Sequence, residues 1–132
     1  MLAQGMRTHF NMSEKSFHTA IATYIRAQYP KVVFTSESSG VRVSIGVAKM
    51  LKGQRSLHKL PDLIVLEPKG GYYGLVIELK EETPYKRDGS LKKGRGVDQA
   101  ATLRLLQDKN YYACFGVGFE QTKNIIDSYM KL

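Results

Sequence analysis

Apolar residues recur along this chain with two periods, and the changes between them mark its elements. From 13 to 28, Phe17, Ala20, Ile21, Tyr24 and Ile25 return at three- and four-residue intervals, one stripe along a helix. Asn11 or Ser13 can cap that helix, and Asn11 with Glu14 has capping-box spacing. Glu14 stands three residues before Phe17, so it extends the apolar stripe rather than the polar face. That position suits a helix-dipole or capping role, or a third carboxylate in a metal site. Lys31 to Thr35 reads as a short strand after Pro30. Val41 to Arg55 begins with strand-like alternation, yet Ser44 can cap a helix over 45–54. Ala48, Met50, Leu51 and Lys52 favour the helix.

Two β-branched apolar runs follow, Leu63-Ile64-Val65-Leu66 and Leu75-Val76-Ile77-Glu78-Leu79, separated by Pro68-Lys69-Gly70-Gly71. Strand runs around a Gly-Gly turn predict an antiparallel hairpin. Glu81 to Gly96 is polar and rich in Lys and Gly, a mobile basic loop by composition. Val97 to Lys109 predicts a helix with Ala100, Leu103 and Leu106 inward. Tyr111 to Val117 predicts a strand and Gln121 to Met130 a closing helix. Helix, strand, helix, hairpin, helix, strand, helix is an α/β order with a central mixed sheet flanked by helices. The hairpin strands are apolar on both faces, which predicts a sheet covered on both sides.

The hairpin carries the candidate chemistry. Asp62 follows Pro61 at the head of the first strand, and Glu78-Leu79-Lys80 ends the second. Side chains alternate along a strand, so Glu78 and Lys80 share a face while the Leu79 carbonyl stays near it. A hairpin folded about Gly70 sets Asp62 opposite Glu78, and a two-residue slip sets it opposite Lys80. Directly opposed Cβ atoms lie roughly 4.5–5.5 Å apart, and like charges so placed repel. Two opposed carboxylates on an apolar hairpin call for a cation, and oxygen ligands favour Mg²⁺ or Mn²⁺. Such an ion polarises a phosphoryl oxygen and activates water, and Lys80 can stabilise the developing negative charge. A plain hairpin ending in a solvated Asp and Glu would carry the same residues.

Composition narrows the reading. At 132 residues the chain is one domain with enough length for a core. It holds no apolar run of membrane-spanning length and no signal-peptide core near its start. The single Cys114 in an apolar stretch predicts a buried thiol in a reducing compartment. Zinc is disfavoured, because His9, His18 and His58 are scattered. Net charge is +8, and its distribution is uneven. Arg42, Lys49, Lys52, Arg55 and Lys59 fall between Ser38 and Pro61 without one acid. Lys86, Arg87, Lys92, Lys93 and Arg95 follow the hairpin against Asp88 alone. Basic segments on both sides of the carboxylates predict a polyanionic partner held by salt-sensitive phosphate contacts.

The succession of Glu14 on a helix, Pro61-Asp62, Glu78-Leu79-Lys80, and Gln99 on the next helix resembles the PD-(D/E)xK nuclease superfamily. It is closer to the stand-alone VRR-NUC (virus-type replication-repair nuclease) domains of phages and bacteria. The resemblance spans nearly the whole chain, through Lys59-Leu60-Pro61-Asp62-Leu63-Ile64, Gly74 to Lys80, Asp98-Gln99, Leu103 to Leu106 and Asn110-Tyr111. Leu60 replaces the Gly that many members have before Pro-Asp, and Pro84 to Arg95 is longer than their turn. The resemblance implies a restriction-endonuclease-like fold. It implies Glu14, Asp62, Glu78 and the Leu79 carbonyl as ligands of Mg²⁺ or Mn²⁺, with Lys80 and Gln99 completing the catalytic set. It also implies a cytoplasmic, homodimeric nuclease of branched DNA such as four-way (Holliday) junctions. RNA or linear DNA as substrate, a non-catalytic binding module on the same fold, and a basic structural protein remain the competing readings.

Overall fold

The β-branched runs at the centre of the chain form the centre of the molecule. A computed structural model describes residues 14–36 and 43–132. Its elements in order are α1 (Glu14–Gln28), β1 (Phe34–Ser36), α2 (Ile45–Gly53), β2 (Leu63–Val65), β3 (Leu75–Lys80), α3 (Arg95–Asp108), β4 (Tyr112–Val117) and α4 (Gly118–Met130). This is the order the sequence predicts. His9, Asn11, Ser13 and Arg42 lie outside the described residues, as does the side chain of Glu14, the first residue of α1.

The sheet runs β1-β2-β3-β4. The first two pairings are antiparallel, and β3 and β4 are parallel with α3 as the crossover. Leu63 faces Ile77 and Val65 faces Leu75, so the next pair outward is Asp62 with Glu78. The hairpin closes through the Lys69–Tyr72 bridge. Gly70 and Gly71 both have positive φ, +56° and +87°, the conformation a two-residue turn demands. The register steps by one residue between turn and strands.

Alternation divides the sheet between two cores. Leu63, Val65, Leu75, Ile77 and Leu79 pack with Phe17, Ile21 and Ile25 of α1 and with Ile126 and Tyr129 of α4. Fully burying each such aliphatic contributes about 1.5–3 kcal/mol. On the other face Val76 and Ala113 meet Leu103 of α3, with Ile64, Leu106 and Phe115 around them. Both faces are covered as predicted, but α3 reaches only the β3–β4 half. Val33 and Leu66 on the β1–β2 half stay 64% and 59% exposed.

Side chains and termini lock these layers. The hydroxyls of Tyr24 on α1 and of Tyr29 just after it donate to Asp127 Oδ1 of α4 at 2.7 and 2.6 Å. The Tyr129 hydroxyl donates to the Glu67 carbonyl at 2.6 Å. The end of α3 is tied by Asn110 N–H to the Gln107 carbonyl and Tyr111 N–H to the Leu106 carbonyl. Asn110 sits at φ +71°, which makes a Schellman stop. Among the described residues β4 is an open edge of the sheet, and two glutamines cover part of it. Gln107 Nε2 donates to the Ala113 carbonyl at 2.9 Å, and Val117 N–H donates to Gln121 Oε1 at 2.7 Å.

Several boundaries differ from those the sequence predicts. Strand β1 starts at Phe34, because Val32 N–H bonds the Tyr29 carbonyl in a turn. Helix α4 starts at Gly118, whose φ of +74° turns the chain straight out of β4. Helix α3 starts at Arg95, which takes that residue out of the basic loop. The remaining loop folds into a ribbon through the Tyr85–Leu91 bridge. Cys114 is half-buried and packs against the core, where burial pushes its thiol up to about 11. Helix α2 forms under its Ser44 cap, which accepts from Val47 N–H, and buries none of its side chains.

Candidate active site

Register and alternation deliver two acids to one point. Asp62 and Glu78 are only 6% and 7% exposed. Leu79 N–H donates to Asp62 Oδ2 at 2.9 Å, so a backbone amide of β3 holds the carboxylate that precedes β2. Gln99, in the second turn of α3, donates from Nε2 to Glu78 Oε2 at 2.9 Å. Burial first, then a hydrogen bond and repulsion from Asp62, push the Glu78 carboxyl up to about 8. Lys80 and Lys59 pull the other way without balancing them.

The two acids line a pocket of about 200 Å³ with Leu79, Lys80, Glu81 and Gln99. Lys59 and Arg95 stand on its wall, and Phe17 and His18 bring the first turns of α1 to its rim. The Oε1 atom of Gln99 is buried and finds no hydrogen-bond partner among the described residues. Three cations thus share one small cavity with the buried acid pair and with exposed Glu81.

The sequence-predicted site residues divide accordingly. Asp62, Glu78, Leu79, Lys80 and Gln99 meet at the pocket. Glu14 begins the helix whose next turn reaches that pocket, while its side chain lies outside the described residues. Among the described residues of the two basic segments that flank the hairpin, only Lys59 and Arg95 reach it. Lys49 and Lys52 lie on exposed α2, Arg55 on the exposed segment after it, and Lys86, Arg87, Lys92 and Lys93 on the exposed ribbon. His18, a scattered histidine by its spacing, was not among the predicted site residues. It lies at the pocket because it sits beside Phe17, whose ring is 5.8 Å away. No motif marks that placement.

The donor set suits a hard cation. Two buried carboxylates repel, and burial together with that repulsion favours a proton on Glu78 in the absence of an ion. The Gln99 amide steadies that carboxyl, and every donor is oxygen, the combination Mg²⁺ and Mn²⁺ prefer. Among the described residues no group of three or more His, Cys, Asp and Glu could hold a metal. A tight site would therefore need Leu79, Gln99, water or Glu14 to complete the shell.

No family model matches this chain, and no curated protein matches it. Among solved structures, one described as a "VRR_NUC domain protein" superposes with a TM-score of 0.61 at 20% identity. The match covers 92% of this chain and 90% of that one. Four strands in mixed pairing, helices on both faces and an acid pair at the end of the hairpin are thus set in an overall fold shared with that protein. The chain has the fold of a VRR_NUC domain, the restriction-endonuclease-like architecture its sequence predicts.

Proposed function

We propose that this chain is a divalent-metal-dependent endonuclease that hydrolyses phosphodiester bonds in DNA. The observation that carries the reading is the buried Asp62–Glu78 pair, opposed across the hairpin in a pocket that also holds Lys59, Lys80 and Arg95. Acids that repel one another beside several cations suit a site for a cation and a phosphate together. The fold shared with a VRR_NUC domain protein supports the same class of activity.

Asp62, Glu78 and the Leu79 carbonyl would hold Mg²⁺ or Mn²⁺, with Glu14 as a further ligand. When bound, such an ion polarises the phosphoryl oxygen and lowers the pKa of attacking water. Glu78 gives up its proton on binding, and Gln99 keeps its Oε2 in place. The Lys80 ammonium lies on the same face of β3 and stabilises negative charge that develops on the phosphate. Lys59 and Arg95 fix the phosphodiester from the pocket wall.

Branched DNA and a homodimer complete the proposal. Two copies related by a two-fold axis suit a two-fold four-way junction. The test is a panel of labelled junction, flap, splayed and linear DNA, with an RNA control, incubated with Mg²⁺ or Mn²⁺. Junction cleavage is expected from the wild type. It is expected to be abolished in Asp62→Ala, Glu78→Ala and Lys80→Ala, each still folded. A wild type that cuts no substrate, or three variants that cut fully, would refute it.

A further inference from the structure

The segment between Lys80 and α3 reads from composition as a loop, yet it is built as an arm. Lys92 N–H donates to the Pro84 carbonyl at 2.8 Å, and Lys86 N–H to the Ser90 carbonyl at 2.7 Å. With the Tyr85–Leu91 bridge between them, these bonds make a short two-stranded ribbon. Gly89, at φ +89°, turns its tip. The Asp88 carboxylate accepts from Ser90 N–H at 2.9 Å and from its hydroxyl at 2.6 Å. The ribbon's one acid is therefore engaged within its own turn.

The base of the ribbon is fastened to the sheet. Pro84 is buried, and the Tyr85 ring stands perpendicular to Phe115 of β4 at 5.9 Å. Edge-to-face aromatic pairs contribute about 0.5–1.5 kcal/mol beyond the area they bury. Lys86 and Arg87 go out along one strand, and Lys92 and Lys93 come back along the other, all exposed. Two residues beyond Lys93, Arg95 lines the pocket. Cations therefore continue from the acid pair out along the ribbon.

We propose that residues 84–93 form a preformed arm that holds the phosphate backbone of duplex DNA as it leaves the pocket. The ribbon's chemistry selects this partner. It offers four cations for phosphates and a single aromatic ring, Tyr85, which packs edge-to-face against Phe115 at the base. Single-strand binders stack successive bases on a series of aromatic faces, and the ribbon carries one half-exposed ring at its base rather than such a series. The proposal rests on DNA being the pocket's substrate. Its test uses binding without metal, so a failure to cleave and a failure of the arm are separate results.

The experiment is fluorescence anisotropy of a labelled duplex and a labelled single strand in EDTA, over a salt series, with the full chain. Replacing Lys86, Arg87, Lys92 and Lys93 by Gln should raise the duplex Kd about tenfold or more. It should also lower the salt slope by about 3–4, near 0.9 for each phosphate no longer neutralised. The control replaces Lys31, Lys69, Lys109 and Lys131 by Gln, an equal loss of charge at the opposite end of the sheet. It should leave the slope as in the wild type. Tyr85→Ala keeps every charge but frees the base, and should raise Kd roughly threefold at an unchanged slope. An unchanged Kd in the ribbon variant, an equal loss in the control, or a loss confined to single-stranded DNA would overturn the proposal. An unchanged Kd in Tyr85→Ala would overturn a preformed arm.

Discussion

Replacing Glu78 by Gln should stabilise the metal-free protein, and by an amount that depends on pH. The new amide can still accept from Gln99 Nε2 and can donate to Asp62, so the substitution removes charge and little else. The folded carboxyl titrates near 8, against 4.5 for the ordinary group, with burial as the largest cause. Between those values the unfolded chain has released a proton that the folded chain keeps. Stability of the wild type therefore falls as pH rises through this window, and the loss is complete above about 8. A shift of that size corresponds to on the order of 4–5 kcal/mol. Solvent entering the pocket screens it, which leaves about 2–3 kcal/mol. For a chain of this length that is a Tm difference of roughly 6–10 °C. The assay is thermal unfolding of both proteins in EDTA from pH 4.5 to 9. The two Tm curves should meet at the acid end and open steadily towards pH 8, with the variant higher. Parallel curves would refute the burial argument. Added Mg²⁺ should then raise the wild type at high pH and leave the variant nearly unmoved.

Other positions give independent checks. Gln99→Ala removes the amide that holds Glu78 Oε2, and cleavage should fall about 10–100-fold while the melting temperature stays close to wild type. Gly116→Ala should cost about 1–3 kcal/mol in chemical denaturation. Its Cβ would lie 2.5 Å from Thr122 Oγ1 and 2.8 Å from Ile77 Cγ2, both held in the packed interior. Asp127→Ala leaves the Tyr24 and Tyr29 hydroxyls without their acceptor, and should destabilise by about 1–3 kcal/mol with no change in DNA affinity.

The parts of this molecule that were legible in the sequence are those fixed by short-range rules. Two β-branched apolar runs, 63–66 and 75–79, separated by Gly70-Gly71, determine the hairpin and bring its register to within a two-residue slip. The pairing of Leu63 with Ile77 selects the register that opposes Asp62 to Glu78 rather than to Lys80. The stripes of α1 and α3 were readable, because Phe17, Ile21 and Ile25 turn to one core and Leu103 and Leu106 to the other. What escaped depended on contacts distant in sequence. The ribbon's order comes from Tyr85 meeting Phe115 on a strand beyond α3, so its Lys- and Gly-rich composition pointed to a loop. Lys59 and Arg95 look like their basic neighbours in sequence, and only the packing of α3 beside Asp62 separates them from Lys86 or Lys92. The start of α4 was set by a single glycine at positive φ, which a pattern of apolar spacing does not register.

The two glutamines on the open edge of β4 would age differently. Gln121 uses its oxygen to accept from Val117 N–H, so hydrolysis of its amide to a carboxylate keeps an acceptor in place. Gln107 uses its nitrogen to donate to the Ala113 carbonyl, and the same hydrolysis leaves two oxygens facing one another. A long-stored sample thus loses its cover at Ala113 first. The unpaired carbonyl it bares is the kind of group by which one sheet extends onto another, so one side-chain amide far from the carboxylate pair guards this stretch of the edge.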